Sequence, residues 1–163
     1  MAAEGTFTTF VDRQGDRFDL GPYAGEHRDA LTEMYDGFTP KSITQGLPPA
    51  NDQKRHEWVA HLLDSGENFL ARLAGKVVGH SCLVRADDRR NGEYIIFIDQ
   101  PYRNRGLGTA LTRLTIRRAQ EMKIEAVWLT VEALNFKAVK LYRKIGFVFC
   151  DAGERERTMI LRL

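Results

Sequence analysis

Apolar residues follow two different spacings along the middle of the chain. Tyr94–Ile98 is a continuous run of β-branched and aromatic residues, too short for a helix, and it predicts a buried strand. The run ends before Pro101, and from Leu107 to Leu114 the apolar positions recur at the spacing of one helix face. The pattern therefore predicts a strand, a turn and a helix at the centre of the fold.

The same two spacings predict an α/β protein over the whole sequence. The expected order is a strand, two helices, three strands, a helix, a strand, a helix and two strands, forming one mixed sheet of about six to seven strands with flanking helices. The other predicted elements are strands near Arg17–Leu20, Asn68–Leu73, Val77–Val84, Trp128–Val131, Val148–Cys150 and Thr158–Leu163, and helices at His27–Tyr35 and Asp52–Leu63. At 163 residues, the chain is expected to be a single domain, residues 1–163.

Two segments lack either spacing. Met1–Phe10 is expected to be loosely held. Thr39–Asp52 is rich in turn residues, which predicts an irregular connector, and loops of this length often serve a site. A loop that serves a site and a flexible connector without a function are both compatible with this segment.

Composition narrows the class of protein. The hydrophobic fraction is 43%, the charged fraction 28% and the net charge +2, as in ordinary globular domains, so no broad charge favours nucleic acid or an anionic membrane as a partner. The sequence shows neither a signal peptide nor a run long enough to span a membrane. Cys82 and Cys150 are expected to be free and buried, which suits a reducing compartment and predicts a cytoplasmic protein.

A zinc site at His56, Glu57 and His61 is excluded by the helix period. The metalloprotease arrangement needs histidines four residues apart, whereas these are five apart, or about 140° around a helix. We therefore predict no metal.

The turn after the central strand has the composition of an anion site. The first N–H groups of the following helix converge there, and the helix dipole adds partial positive charge. Gly106 and Gly108 let a phosphate approach the backbone, and Arg103 and Arg105 offer charge-assisted donors. A dinucleotide-binding motif would need glycine where Leu111 stands, and no P-loop Gly-Lys-Ser/Thr follows.

Two motifs, in order, resemble the signatures of the GCN5-related N-acetyltransferase (GNAT) superfamily. Arg103-x-x-Gly106-x-Gly108 after a strand resembles its pyrophosphate-binding motif. The segment 135–147, an Asn that opens a helix ending L-Y-x-x-x-G-F, resembles its second signature. Together the signatures cover about a third of the chain. The resemblance implies the GNAT fold, an N-acetyltransferase activity and acetyl-CoA as the acyl donor.

The resemblance also implies roles for individual residues. In this family the central strand and the next one splay apart, and pantetheine fills the gap. The implied cofactor-binding residues are Phe97, Ile98, Arg103, Asn104, Arg105, Gly106, Leu107, Gly108, Thr109 and Asn135. Tyr142 matches the family's general acid, which can donate a proton to the departing thiolate.

Glu93 is the candidate general base. A lysine-like amine has a pKa of about 10.4, so it arrives charged at neutral pH and something must accept its proton. Neither signature contains a histidine, and Glu93 is the carboxylate at the start of the central strand. Its distance from Ile98, where the resemblance places the reacting end of the cofactor, is about 16 Å along an ideal strand. A bulge, a twist or bridging water is therefore expected.

The sequence leaves open which amine accepts the acetyl group. The segment 92–108 resembles bacterial protein-lysine acetyltransferases of the Pat type, which implies a protein lysine as acceptor. A small-molecule amine (a polyamine, an amino acid or an aminoglycoside) is the alternative within the same class. A module that binds acyl-CoA without turning it over is the alternative in another class. Either a monomer or a homodimer is compatible with the sequence.

Overall fold

A computed structural model describes residues 6–41 and 46–163. Across these residues, eight strands form one mixed sheet and four α-helices cover it. The strands are β1 Thr8–Val11, β2 Arg17–Pro22, β3 Gly66–Leu73, β4 Lys76–Arg85, β5 Asn91–Ile98, β6 Ala126–Glu132, β7 Val148–Phe149 and β8 Glu156–Arg162. The helices are α1 Arg28–Asp36, α2 Asp52–Ser65, α3 Leu107–Glu121 and α4 Phe136–Ile145.

The sheet contains one parallel pair, which lies at its centre. The strand order is β1-β2-β3-β4-β5-β6-β8-β7, and β5 and β6 run parallel while all other neighbours are antiparallel. The parallel pairing joins Asn91, Gly92 and Glu93 to the segment 126–128 and goes no further. Beyond Glu93 the two strands are not paired, and we call the gap between them the split between β5 and β6.

The two faces of the sheet are covered by different helices. On β5, the Phe97 ring packs against Tyr35 of α1 and Trp58 of α2, whereas the Tyr94 hydroxyl is 2.8 Å from the Thr112 hydroxyl of α3. Since strand side chains alternate between faces, the odd-numbered residues of β5 face α1 and α2, and the even-numbered ones face α3. We refer to these as the α1/α2 face and the α3/α4 face.

The helix α4 begins and ends as its sequence predicts. The Asn135 side chain accepts a hydrogen bond from the Ala138 N–H at 3.2 Å, which satisfies one of the free donors of the first turn. Gly146 ends the helix with φ of 119°, a left-handed conformation that favours glycine. Tyr142 and Leu141 are thereby fixed on the side of the helix that faces the sheet.

The N-terminal segment departs from its prediction. Met1–Phe10 was expected to be loosely held, but Thr8–Phe10 belongs to the strand Thr8–Val11, which pairs with Arg17–Leu20 as a hairpin. Its apolar signal is too short to predict a strand alone, and the pairing partner supplies the missing backbone hydrogen bonds. The mixed α/β prediction is confirmed, and β1 raises the number of strands to eight.

Two smaller expectations can be compared with the structure. Both cysteines are free as predicted, and Cys82 is buried as predicted. The predicted burial of Cys150 is wrong, because this residue follows the short edge strand β7 and is exposed. The connector Thr39–Asp52 lies partly outside the described residues, which omit 42–45. In the part of the chain that the structure describes, no helix has the length and apolar character needed to cross a membrane.

Candidate active site

A groove of about 1720 Å³ follows the split between β5 and β6. One wall is the exposed edge of β5 from Glu93 to Ile98, and the other includes Thr130–Glu132 of β6. The pairing of β5 with β4 continues to Ile98, so β5 is hydrogen-bonded on one edge and open on the other. About five residues of open edge, or about 16 Å, can pair with an extended ligand that carries amide groups.

The N-terminus of α3 lies at the open end of the split. Gly106 is its N-cap, in a left-handed conformation with φ of 86°, and no side chain caps the helix. A Cβ on Gly106 would lie 3.2 Å from the Phe10 ring, so space as well as conformation favours glycine here. The first backbone N–H groups of a 15-residue helix therefore point at the groove without a capping side chain, as an anion site requires.

The side chains of the two motif arginines already have partners within the protein. Arg105 binds Asp12 and Asp16, and it stacks on Phe18 and Tyr102. Burial acts to raise the pKa of the Asp12 carboxyl, but hydrogen bonds, above all the one from Arg105, outweigh it, and the pKa lies below its ordinary value. Arg105 thus ties the β1–β2 hairpin to the turn that precedes α3.

Arg103 is engaged on the other side of the turn. Its guanidinium donates to the Ile98 carbonyl at 2.7 Å and to the Thr39 carbonyl at 2.9 Å, and it lies over the Phe38 ring. Burial lowers the pKa of this guanidinium from its ordinary value, with Asp99 acting in the opposite direction. Both arginines line the groove, but much of their donor capacity is used to hold the turn in place.

The sequence reasoning missed further cations beside the groove. They are Arg13 at the tip of the hairpin, Arg113 and Arg117 on α3, and Lys137, Lys140 and Lys144 on α4. The three lysines are spaced three and four residues apart, a signal for one helix face that the sequence does contain. Arg13 has no such signal, because tertiary packing of the hairpin brings it to the groove. These cations make this part of the groove lining positively charged.

Of the other predicted cofactor residues, most line the groove, whereas the side chain of one points into the core. Asn104 and Thr109 line the groove, as do Phe97, Ile98 and Asn135. The Leu107 side chain is buried in the core, so this position can offer a ligand its backbone N–H alone. A Cβ on Gly108 would lie 3.0 Å from Leu141, so this glycine also lets α4 approach α3 closely.

Glu93 lies at the closed end of the split. It is the last residue of β5 that pairs with β6, opposite Trp128, and its half-buried side chain faces the groove. Desolvation by burial raises the pKa of its carboxyl above the ordinary value. The distance of about 16 Å calculated from the sequence runs from Glu93 to Ile98, at the open end of the split. An extended acyl donor anchored at the open end would instead bring its acyl group toward Glu93.

Tyr142 approaches the split from the opposite face. It is buried against Phe147 on the α3/α4 face and lines the groove, whereas Glu93 is an odd-numbered residue of β5 on the α1/α2 face. Burial raises the pKa of its hydroxyl to about 12, so the phenol is protonated at neutral pH. A proton acceptor and a proton donor therefore flank the split on opposite faces of the sheet.

The fold is an open mixed α/β sheet with a groove at its parallel pair, and comparison with known proteins identifies the family. The family model described as "Acetyltransferase (GNAT) family" matches residues 28–147, most of the chain. The chain belongs to this family, which confirms the resemblance seen in its sequence.

Curated relatives share about a third of their residues with the matched part of the chain. Mycothiol acetyltransferase of Streptomyces coelicolor is 32% identical over 109 residues, which cover 66% of this chain and 34% of the relative. L-amino acid N-acetyltransferase AaaT of Escherichia coli is 31% identical over 106 residues, which cover 61% and 65%. The matched residues therefore span about a third of the first relative and less than two thirds of the second.

Solved structures show the same fold at low sequence identity. The GNAT domain of S. lividans PAT superposes with a TM-score of 0.80 at 15% identity, covering 96% of this chain and 97% of that domain. YncA from Salmonella typhimurium, solved with its cofactor acetyl-CoA, gives 0.72 at 17% identity and covers 90% and 94%. At these identities the comparison shows a shared fold and nothing more specific.

Proposed function

We propose that the protein is an N-acetyltransferase that transfers the acetyl group of acetyl-CoA to a primary amine. The observation that carries the proposal is the split itself. It has an uncapped helix N-terminus at its open end, a desolvated carboxylate at its closed end and a protonated tyrosine on the far face. A binding module would need the first of these features but not the other two.

The residues of the split fit acetyl-CoA. The N–H groups at Gly106–Thr109 suit the pyrophosphate, and the open edge of β5 from Tyr94 to Ile98 suits the two amides of pantetheine. The cations of α3, α4 and Arg13 suit the charged nucleotide end. When bound, acetyl-CoA supplies an activated acyl group whose leaving group is a thiol.

The two titratable groups then divide the proton transfers between the faces of the sheet. Glu93 accepts a proton from the incoming ammonium on the α1/α2 face, directly or through water, and its raised pKa brings its basicity closer to the operating pH. Tyr142, protonated at neutral pH, donates to the departing sulfur from the α3/α4 face. A backbone N–H of the open β5 edge polarises the thioester carbonyl.

A small-molecule amine is the better supported acceptor. The two relatives described above are named mycothiol acetyltransferase and L-amino acid N-acetyltransferase, and both names refer to small molecules. On the α1/α2 face the groove is lined by Phe38 and Trp58, which favour a compact apolar body. A protein lysine, implied by the Pat-type resemblance, is the second candidate and is tested in the same assay with a lysine peptide.

Acetyl-CoA is expected to raise the melting temperature, because it engages the folded chain alone. At a hundred times its dissociation constant it should add about 2.7 kcal/mol to the free energy of unfolding. Gly108→Val should abolish most of this shift in a thermal melt by crowding the helix N-terminus, and Arg103→Ala should reduce it by loosening the turn. Since valine at 108 also crowds Leu141, the melting temperature without ligand is measured as well. If a folded Gly108→Val variant shows the full shift in melting temperature with acetyl-CoA, the assignment of the cofactor site to the N-terminus of α3 is contradicted.

Tyr142→Phe is expected to lower turnover more than it weakens acetyl-CoA binding. The ring would still pack on Phe147, and the proton donor alone would be lost. Loss of a general acid typically costs about 10²- to 10⁴-fold in rate. Turnover is measured by thiol release, and acetyl-CoA affinity by calorimetry. Unchanged turnover would mean that Tyr142 serves packing and not proton transfer.

A further inference from the structure

Two buried hydroxyl groups connect the central strand to the first turn of α3. The Tyr94 hydroxyl is 2.8 Å from Oγ1 of Thr112, and this Oγ1 is 2.7 Å from the carbonyl oxygen of Gly108. Tyr94 is 3% exposed and Thr112 is fully buried, so bulk water has almost no access to these contacts. Neither side chain has a role in the cofactor binding or the proton transfers described above.

The direction of these two hydrogen bonds follows from the carbonyl group at one end. A carbonyl oxygen carries no hydrogen, so the Thr112 hydroxyl is the donor to Gly108. The Thr112 oxygen is then the acceptor in the other bond, and Tyr94 is its donor. Burial raises the pKa of the Tyr94 hydroxyl well above its ordinary value and outweighs the opposite effect of the neighbouring hydroxyls, so the phenol keeps its proton. Both hydroxyls therefore donate toward the N-terminus of α3.

The Gly108 carbonyl belongs to the same peptide unit as the N–H of Thr109. This unit is planar, and in the trans form its C=O and N–H point in opposite directions. Because α3 begins at Leu107, the Thr109 N–H is one of the first-turn donors without an acceptor inside the helix. A hydrogen bond to the carbonyl therefore fixes the direction of this free N–H, and it also polarises the N–H as a donor.

A second pair of hydroxyls lies about one turn further along α3 and lacks this connection. The Thr115 hydroxyl donates to the Leu111 carbonyl at 3.0 Å and is 2.7 Å from the Ser81 hydroxyl of β4. Thr115 and Ser81 are both fully buried. The N–H of the peptide unit that contains the Leu111 carbonyl lies inside the helix, where it is bonded along the helix axis. The two pairs are alike in burial and bonding, and the first pair alone leads to a free N–H.

We infer that Tyr94 and Thr112 are positioning residues for the pyrophosphate of acetyl-CoA. The inference rests on the proposed function and deepens it at the donor end of the groove. Tyr94 orients the Thr112 hydroxyl, Thr112 fixes the peptide unit, and the Thr109 N–H is thereby directed at the anion. Neither side chain has to touch the phosphate. The chain of hydroxyls holds the strand edge that suits pantetheine and the helix N-terminus that suits pyrophosphate in one geometry.

The test makes the same substitution at two positions of α3. Thr112→Val removes the hydroxyl that binds the Gly108 carbonyl, and Thr115→Val, the matched control, removes its counterpart one turn further along. Calorimetry measures the dissociation constants of CoA and of pantetheine, which lacks the pyrophosphate and the nucleotide. Thr112→Val is expected to reduce the preference for CoA over pantetheine by about fivefold or more, part of what a hydrogen bond to a charged group contributes. Thr115→Val is expected to keep the parental preference.

Two further variants assign the effect to the hydroxyl groups themselves. Thr112→Ser keeps a hydroxyl at this position and should retain the parental preference for CoA. Tyr94→Phe removes the first donor of the chain while its ring stays in the core, and it should reduce the preference in the same direction as Thr112→Val. If Thr112→Val melts too low for calorimetry, Tyr94→Phe is compared with Ser81→Ala, which removes the strand hydroxyl of the second pair.

The possible failures are distinguishable. An equal loss of CoA preference in Thr112→Val and Thr115→Val, or no loss in folded Thr112→Val or Tyr94→Phe, overturns the inference and leaves the proposed acetyltransferase intact. A loss in Thr112→Ser as large as in Thr112→Val also overturns it. If the parent protein binds CoA no more tightly than pantetheine, the pyrophosphate site is wrong and the inference falls with it. Tight binding of CoA without acetyl transfer to any amine overturns the proposed function alone.

Discussion

Glu93→Gln is expected to lower kcat/KM for the amine by about 10²- to 10⁴-fold near neutral pH. The substitution keeps the shape of the side chain at the closed end of the split and removes its basicity. The acceptor then has to lose its proton to solvent, which an amine with a pKa near 10 does rarely at neutral pH. Activity should therefore recover in part as the pH approaches the pKa of the amine, and the pH profile of kcat/KM is the measurement.

Three controls separate this role from structural damage. Acetyl-CoA affinity should be unchanged in Glu93→Gln, because the anchor lies at the other end of the split. Glu33→Gln, an exposed carboxylate on α1, should keep the parental pH profile. Because burial raises the pKa of Glu93, its ionisation costs folding stability, so Glu93→Gln should melt at or above the parent at neutral pH. Parallel pH profiles for parent and variant would remove Glu93 from the mechanism.

Asp12→Asn is expected to raise KM for acetyl-CoA by about tenfold or more while leaving KM for the amine nearly unchanged. Asp12 does not need to touch the cofactor for this effect. It holds Arg105, and Arg105 positions the turn whose N–H groups form the anion site. Displacements on the order of 1 Å at such sites cost up to about 10²-fold. Steady-state kinetics with each substrate varied in turn measures the two KM values separately.

The control breaks a more exposed ion pair, which joins α3 to β3. Glu67 accepts from Arg118 at 3.0 Å, away from the groove, so Glu67→Gln should leave KM for acetyl-CoA unchanged. If both variants change KM for acetyl-CoA to the same extent, the contact of the hairpin with Arg105 contributes to stability and does not position the turn.

The Asp12 pair also predicts a pH dependence of stability. Hydrogen bonds hold the pKa of Asp12 below its ordinary value, so its stabilisation is present above the ordinary aspartate range. It is lost as the pH falls through the lowered pKa of the folded state. The difference in melting temperature between parent and Asp12→Asn should therefore be largest at neutral pH and shrink in acid. A difference that grows in acid would contradict the assignment.

The sequence by itself determined the family, the mixed α/β fold and the positions of the two signatures. These depend on local information. The apolar run of Tyr94–Ile98 predicts a strand, and the helical spacing of apolar residues predicts α3. Asn135 and Gly146 predict the two ends of α4, which they cap in the structure. The predicted cofactor and catalytic residues remain predictions, to be tested by the variants above.

Tertiary structure decided where those residues lie relative to one another. The pairing of β5 with β6 ends at Glu93, which no local pattern encodes, and this puts the carboxylate at the closed end of the split. The partner of Arg105 is Asp12, 93 positions away along the chain, so the sequence could not show that this guanidinium holds a hairpin. The edge-to-face contacts of Phe97 with Phe38 and Trp58 likewise join side chains from three separate segments. Sequence spacing specifies the elements, whereas long-range strand pairing and side-chain packing specify the site.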